Sequence, residues 1–216
     1  MQVKIVDYDC GNLYSVRAMF EHLGMEASII TEPEKVGDNT LIVLPGVGHF
    51  RHGVRELKGR GFDSFIQEQV GKEGVWVLGI CLGMQLLCGN SAEATGDPGL
   101  GIVPGSFNKF SNEDGAESRI KIPHIGFNNL NISQDDHWVF EGLCDNPDFY
   151  FNHSYYYNPS SVVDKNSLNT YKCQHGVDFV AVFTWSNVIG FQFHPEKSQA
   201  NGIQLLSNIT KKVSCA

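Results

Sequence analysis

The sequence has no Cys-x-x-Cys pair among its six cysteines and no histidine cluster at zinc-ligand spacing. Neither a metal nor a cofactor is expected. Long apolar runs are also missing. The longest uncharged stretch, residues 75–89, is too short to cross a bilayer and carries three glycines. Lys4 and Asp7 interrupt any apolar segment at the start, so no signal peptide is expected. Cys10, Cys81, Cys88, Cys144, Cys173 and Cys215 then read as free thiols in a reducing cytoplasm, most of them inert. Positive charge is the scarcer sign. Sixteen Lys and Arg face 24 Asp and Glu, a formal net charge of −8. A phosphate backbone is repelled by such an average field, so neither nucleic acid nor membrane is an expected partner, though a local basic patch can still take a small anion. With 216 residues, 42% of them hydrophobic, the chain can bury a sizeable core without cross-links, and one domain over residues 1–216 is expected.

Apolar periodicity suggests an order of elements. Residues 3–7, 27–31, 41–44 and 75–80 read as strands, the last two apolar on both faces. Helices are expected over residues 13–23, 62–70 and from Met84 to Cys88. This alternation predicts an α/β fold: a mainly parallel, doubly wound sheet with helices on both faces. The second half is richer in strands, at 102–110, 127–132, 149–153, 170–173, 179–184 and 188–193, and antiparallel additions are expected there. A last helix should cover about residues 200–212, and segments 91–99 and 111–118 look like loops.

Three segments fall at strand ends, where such sheets bind ligands. The first is Gly79-Ile80-Cys81-Leu82-Gly83, between an apolar strand and an apolar helix. This is the setting of a nucleophile elbow with Cys as the nucleophile, and the N–H of Leu82 is placed to donate to an oxyanion. The helix start also favours the reactive thiolate. Alone, the motif is equally a tight junction around a buried thiol. The second segment is Phe193-His194-Pro195-Glu196, where a carboxylate two residues on can orient an imidazole. The third is Pro45-Gly46-Val47-Gly48, whose glycines allow a Val47 N–H to complete an oxyanion hole. Alone, either of these two segments is more readily a plain loop or turn.

Together, Leu44–Gly48, Gly79–Gln85 and Phe191–Ser198 resemble the triad-type (class I) glutamine amidotransferases. With Pro123-His124-Ile125-Gly126 and Asn152-His153-Ser154-Tyr155, the chain is similar to the glutaminase subunits of imidazole glycerol phosphate synthase. The resemblance implies that Cys81 attacks the glutamine amide to form a thioester, that His194 serves as acid and base, and that Glu196 orients it. It implies an oxyanion hole from Val47 and Leu82, with Val47 turning inward only when a partner is primed, and a glutamine site including Gly48, Gln85, Ser154 and Tyr155. It also implies a (β/α)₈ cyclase partner that receives ammonia through a protected channel, docked on Asn12, Pro123, His124, Ile125, Gly126 and Phe127.

One departure from the family pattern bears on the acceptor. Phe127 stands where such subunits usually carry Trp. A paralogue supplying ammonia to amidate a surface-polysaccharide sugar is therefore an alternative. A peptidase or γ-glutamyl hydrolase would keep Cys81 and His194 but leave the Pro-Gly-Val-Gly segment without a purpose. A purely binding subunit would not demand Cys81, His194 and Glu196 together.

Overall fold

The computed structural model describes residues 1–112, 120–132, 138–158 and 168–215. Its centre is a set of short apolar strands: β1 (Gln2–Val6), β2 (Glu26–Ile30), β3 (Thr40–Leu44), β4 (Val75–Ile80) and, from the far end of the chain, β12 (Val188–Phe191). They lie in the order β2-β1-β3-β4-β12, all parallel. Every residue of β3 and β12 is buried. The alternation of side chains along the strands explains why. Val3, Ile5, Leu41 and Val43 face one cluster with Val16 and Phe20 of α1 (Leu13–His22) and Leu205 and Ile209 of α5 (Gln199–Ser214). Val6, Ile42 and Leu44 face another, with Val54 of α2 (Phe50–Gly59), Ile66 of α3 (Phe62–Gln69) and Leu86 of α4 (Leu82–Leu87). The sheet is thus covered by helices on both faces, as expected.

The second half adds antiparallel strands. β11 (Val177–Trp185) pairs β12 and β10 (Leu168–His175), and β10 continues through β7 (His124–Asn131) to β8 (Asp148–His153). A short branch, β5 (Cys88–Ser91), β6 (Val103–Lys109) and β9 (Tyr155–Asn158), joins the sheet at β11. The expected strands and helices recur within a few residues of their positions. Three elements were not anticipated. Helix α2 carries only Phe50, Val54 and Leu57 as an apolar stripe among charged residues, yet they lie at the i, i+4, i+7 spacing that buries one face. Its first turn is capped by His49, whose side chain accepts from the Arg51 N–H at 3.1 Å. β5, Cys-Gly-Asn-Ser, has little strand propensity and is held by pairing with β6, while the three tyrosines of β9 suit a strand that pairs with β6 as well. Of the loop expected over 111–118, residues 113–118 lie outside the described residues.

Candidate active site

Strand register places the key residues. Phe191 of β12 pairs with Ile80 of β4, so the chain segments just beyond both strands emerge side by side. Cys81 follows Ile80 directly, and its N–H donates to the Phe191 carbonyl at 2.7 Å. Cys81 adopts φ 51° and ψ −105°, a strained conformation for a residue with a Cβ. The flanking glycines permit this turn by close approach. A Cβ at Gly83 would stand 1.7 Å from the Leu44 carbonyl oxygen, and one at Gly79 would stand 2.7 Å from the Met84 nitrogen. No side chain fits at either place, which is the physical content of Gly-x-Cys-x-Gly.

His194 is 1% exposed and begins the 3₁₀ turn Pro195–Lys197. Its backbone N–H donates to Tyr150 of β8 at 2.8 Å, and its carbonyl accepts from the Ser198 hydroxyl at 2.6 Å. Its Nδ1 lies 2.8 Å from Oε1 of Glu196, with both side chains only 2% exposed. The structure therefore brings His194 and Glu196 into contact as the sequence suggested. Nε2 of His194 has no hydrogen-bond partner among the described residues. Burial disfavours the charged ring, but the nearby Cys81 sulfur and the Glu196 carboxylate outweigh it and raise the His194 pKa to about 10. Cys81 and the ring are thus electrostatic neighbours, while Nε2 forms no hydrogen bond of ordinary geometry. Such loose contacts are common before substrate arrives. The sulfur also lies 3.8 Å from the Asn152 carbonyl oxygen and 3.8 Å from Nε2 of Gln192.

A cleft of about 240 Å³ opens over Cys81. This is smaller than the roughly 300–1,000 Å³ typical of drug-sized ligands and suits a single amino acid. The expected substrate residues Gly48, Gln85, Ser154 and Tyr155 all line it, together with Val47 and Leu82. Asn152 and His153, named in the sequence only as part of the Asn152–Tyr155 segment, line it as well, and so does Glu93, which the sequence did not single out. Glu93 sits in a polar loop with no motif to mark it. In the fold its Oε2 accepts the Phe50 N–H at the start of α2, at 2.7 Å, which aims the carboxylate at the cleft mouth. The Tyr155 pKa is raised by burial and then by this carboxylate.

The segment after β3 does not present a completed oxyanion hole. The Leu82 N–H donates to the Gly46 carbonyl oxygen at 3.3 Å. The carbonyl of the Gly46–Val47 peptide therefore points at the elbow. In a trans peptide the N–H lies opposite the C=O, so the Val47 N–H is turned away. The two expected donors are side by side, but one is occupied by a carbonyl and the other faces outward. Gly48 has φ 123°, a conformation closed to other residues, whereas Gly46 is needed for room: a Cβ there would lie 2.7 Å from the Leu82 Cβ.

Asn12 starts α1, with its carbonyl accepting the Val16 N–H at 3.2 Å. Ile125 and Phe127 are 60% and 46% exposed, and alternation along β7 puts both on the outer side. The same alternation removes His124 from that face. It is buried, with its ring stacked on His175 at 4.1 Å between centroids and its Nδ1 3.0 Å from Nε2 of His153. An exposed Tyr14 was not foreseen. No helix of the described residues is long and apolar enough to cross a membrane.

A family model described as glutamine amidotransferase class-I matches residues 4–213. Among curated relatives, the imidazole glycerol phosphate synthase subunit HisH of Geobacter sulfurreducens is 41% identical over 209 residues, covering 96% of this chain and 97% of that one. The subunit of the same name from Chlorobium luteolum is 37% identical over 209 residues, covering 97% and 99%. Among solved structures, one described as a glutamine amidotransferase superposes with a TM-score of 0.68 at 15% identity, covering 99% of each chain. PurLQS from Thermotoga maritima gives 0.67 at 17% identity, covering 98% of each.

Proposed function

Because the chain belongs to the class-I glutamine amidotransferases, and within them to the HisH subunits of imidazole glycerol phosphate synthase, we propose that Cys81, His194 and Glu196 are its catalytic triad for glutamine hydrolysis. Residues 1–216 act as one amidotransferase domain in the cytoplasm. The ammonia passes to a (β/α)₈ cyclase subunit in histidine biosynthesis. The observation that carries this reading is the buried 2.8 Å pair of His194 and Glu196 behind an amino-acid-sized cleft that Cys81 lines.

The chemistry follows from the geometry. The Cys81 sulfur attacks the side-chain amide carbon of glutamine, and negative charge develops on the amide oxygen. His194, held in its charged form by Cys81 and Glu196, gives its proton to the departing ammonia. A glutamyl thioester remains on Cys81. The neutral ring then takes a proton from water, which attacks the thioester and releases glutamate. Gln85, Ser154 and Tyr155 surround the substrate, and the Glu93 carboxylate is suited to the α-ammonium group.

The oxyanion needs the N–H groups of Leu82 and Val47. With the Gly46 carbonyl at Leu82, a developing negative charge would meet a negative dipole. Losing one oxyanion donor costs about 10²–10³ in rate. The chain alone should therefore be slow, and a partner that favours the turned peptide should accelerate it. Coupling the two is chemically sensible. Ammonia released into water at neutral pH is protonated and loses its nucleophilic lone pair. A dry passage prevents that loss. The test is steady-state glutaminase activity with and without the cyclase and its ligand. A rise of about two orders of magnitude supports the reading, and full activity of the isolated chain refutes it.

A second reading rests on Phe127, exposed on the partner face and packed edge-on against Tyr150 at 5.6 Å. In it, the same ammonia amidates a surface-polysaccharide sugar. Stimulation by a cyclase from such a pathway, with none from the histidine-pathway cyclase, would favour it.

A further inference from the structure

Tyr8 follows β1 and is completely buried, yet it carries a polar hydroxyl. That hydroxyl donates to the Pro45 carbonyl oxygen at 2.6 Å. Pro45 immediately precedes Gly46, whose own carbonyl is held by the Leu82 N–H. A Cβ built on Gly46 would stand 2.3 Å from the Tyr8 hydroxyl oxygen and 2.7 Å from the Leu82 Cβ. The face of Gly46 that would carry a side chain is therefore closed by the phenol and the elbow together. Two consecutive carbonyls of this strand end are each bonded, one to a fixed side chain and one to the group that must be freed during catalysis.

From this arrangement we infer that Tyr8 is a positioning residue for the oxyanion hole: it anchors the Pro45–Gly46 peptide so that the Gly46–Val47 peptide alone turns. The inference rests on the proposed glutaminase reading of the site. Turning one peptide requires rotation about the two bonds that flank it, at Gly46 and Val47, while the atoms before Gly46 stay in place. If Pro45 is free, the rotation spreads backward into β3 and the Val47 N–H arrives in a range of positions. An oxyanion donor works only within about 2.7–3.1 Å of the developing charge. The phenol is well chosen as an anchor. Burial, reinforced by Cys10 and Cys81, raises its pKa well above the usual tyrosine value, so it remains a donor throughout the working pH range. The Pro45 carbonyl is itself buried and has lost its water, so the bond is costly to leave unmade.

Tyr8→Phe keeps the ring and removes only the hydroxyl. Wild type and variant are each assayed with the (β/α)₈ cyclase and its ligand for kcat and KM of glutaminase, and for the rate of Cys81 alkylation by iodoacetamide. The stimulated kcat of the variant should fall about tenfold, since a misplaced donor costs less than the full loss of one. KM and the alkylation rate should stay within about twofold of wild type, because neither glutamine nor the thiolate contacts the hydroxyl. An unchanged kcat would overturn the inference. So would a fall in kcat matched by slower alkylation, which would show that Tyr8 merely packs the elbow. A wild-type enzyme that the cyclase fails to stimulate would defeat the proposed reading of the site, and this inference with it. Stimulated wild type with an equally stimulated Tyr8→Phe would defeat this inference alone.

Discussion

Replacing Glu196 by Gln isolates what the carboxylate does. Its Oε1 lies 2.8 Å from Nδ1 of His194, and both side chains are 2% exposed, so solvent screens the pair little. A hydrogen bond to a charged group contributes about 1.5–3 kcal/mol net. At about 1.4 kcal/mol per decade, that is roughly a 10- to 100-fold loss in stimulated kcat. Removing the ring itself, by His194→Ala, forfeits acid–base catalysis and should cost about 10²–10⁴. The order of the two variants is thus fixed by their roles. The pH profile adds an independent sign. Burial lowers the His194 pKa, while Cys81 and Glu196 raise it to about 10. Without the carboxylate the value must fall. The proton donated to ammonia is then lost at lower alkalinity, and the alkaline limb of kcat against pH should move down. Steady-state glutaminase measurements from pH 6 to 10, with the cyclase present, read both effects. A variant within twofold of wild type with an unmoved limb would refute the reasoning. A loss as large as that of His194→Ala would show that Glu196 does more than orient the ring.

A glutamine-analogue electrophile should modify Cys81 and no other cysteine. Burial raises the thiols of Cys10 and Cys173 to about 11 and 12 and that of Cys88 further, so peptide mass mapping that finds label on any of them would contradict the assignment. Gly83→Ala should lower stability by about 3 kcal/mol, because its Cβ would meet the Leu44 carbonyl, which is backbone and cannot swing away. For a chain this long that is a drop of roughly 6–12 °C in Tm, and calorimetry showing no change would refute it. Stability should also fall on mild acidification. Burial lowers His124 to about 4 and His153 to about 3, so below about pH 6.5 the unfolded chain takes up these protons first. The loss begins near pH 7, amounts to about 2 kcal/mol per ring at pH 5, and levels off below the folded values. His194 has the opposite sign in a separate window, its contribution fading as pH rises from 6.5 to 10. Urea unfolding at pH 7 and pH 5 with equal midpoints would sink the assignment of neutral, buried rings.

The parallel core was legible because the strands β3 and β4 are unbroken apolar runs that end in glycine motifs, and a strand buried on both faces leaves that mark. The Cys81 elbow was legible for the same reason: Gly79 and Gly83 are demanded by backbone contacts that no other residue survives. His194 and Glu196 lie so near in sequence that their contact needed only a turn, which Pro195 supplies. Glu93 and Tyr8 were not legible. Glu93 reaches the cleft because α2 presents an N–H to it across a long sequence gap. Tyr8 looks like one more buried aromatic until its hydroxyl is seen against the Pro45 carbonyl. His124 was misplaced on the partner face because a motif names a segment, while strand alternation decides which of its residues point outward.

The proximity of the two surfaces gives the coupling a short route. Val47 is 41% exposed, an apolar side chain lining the cleft and attached to the peptide proposed to turn. Pro123 lines the same cleft and leads directly into Ile125 and Phe127 on the outer face. A partner seated on those residues reaches the rim at Pro123 and can bear on Val47 itself. No chain of intermediaries through the core is then required, and the energy needed is modest. Biasing one peptide by a factor of about a hundred takes roughly 2.7 kcal/mol. Burying the exposed part of a valine supplies only a share of that at about 25 cal/mol per Å². Burial of Ile125 and Phe127 by the same partner adds to it, and negative charge developing on the substrate favours the donating peptide over the inward carbonyl. Partner and glutamine are therefore expected to act on the peptide together.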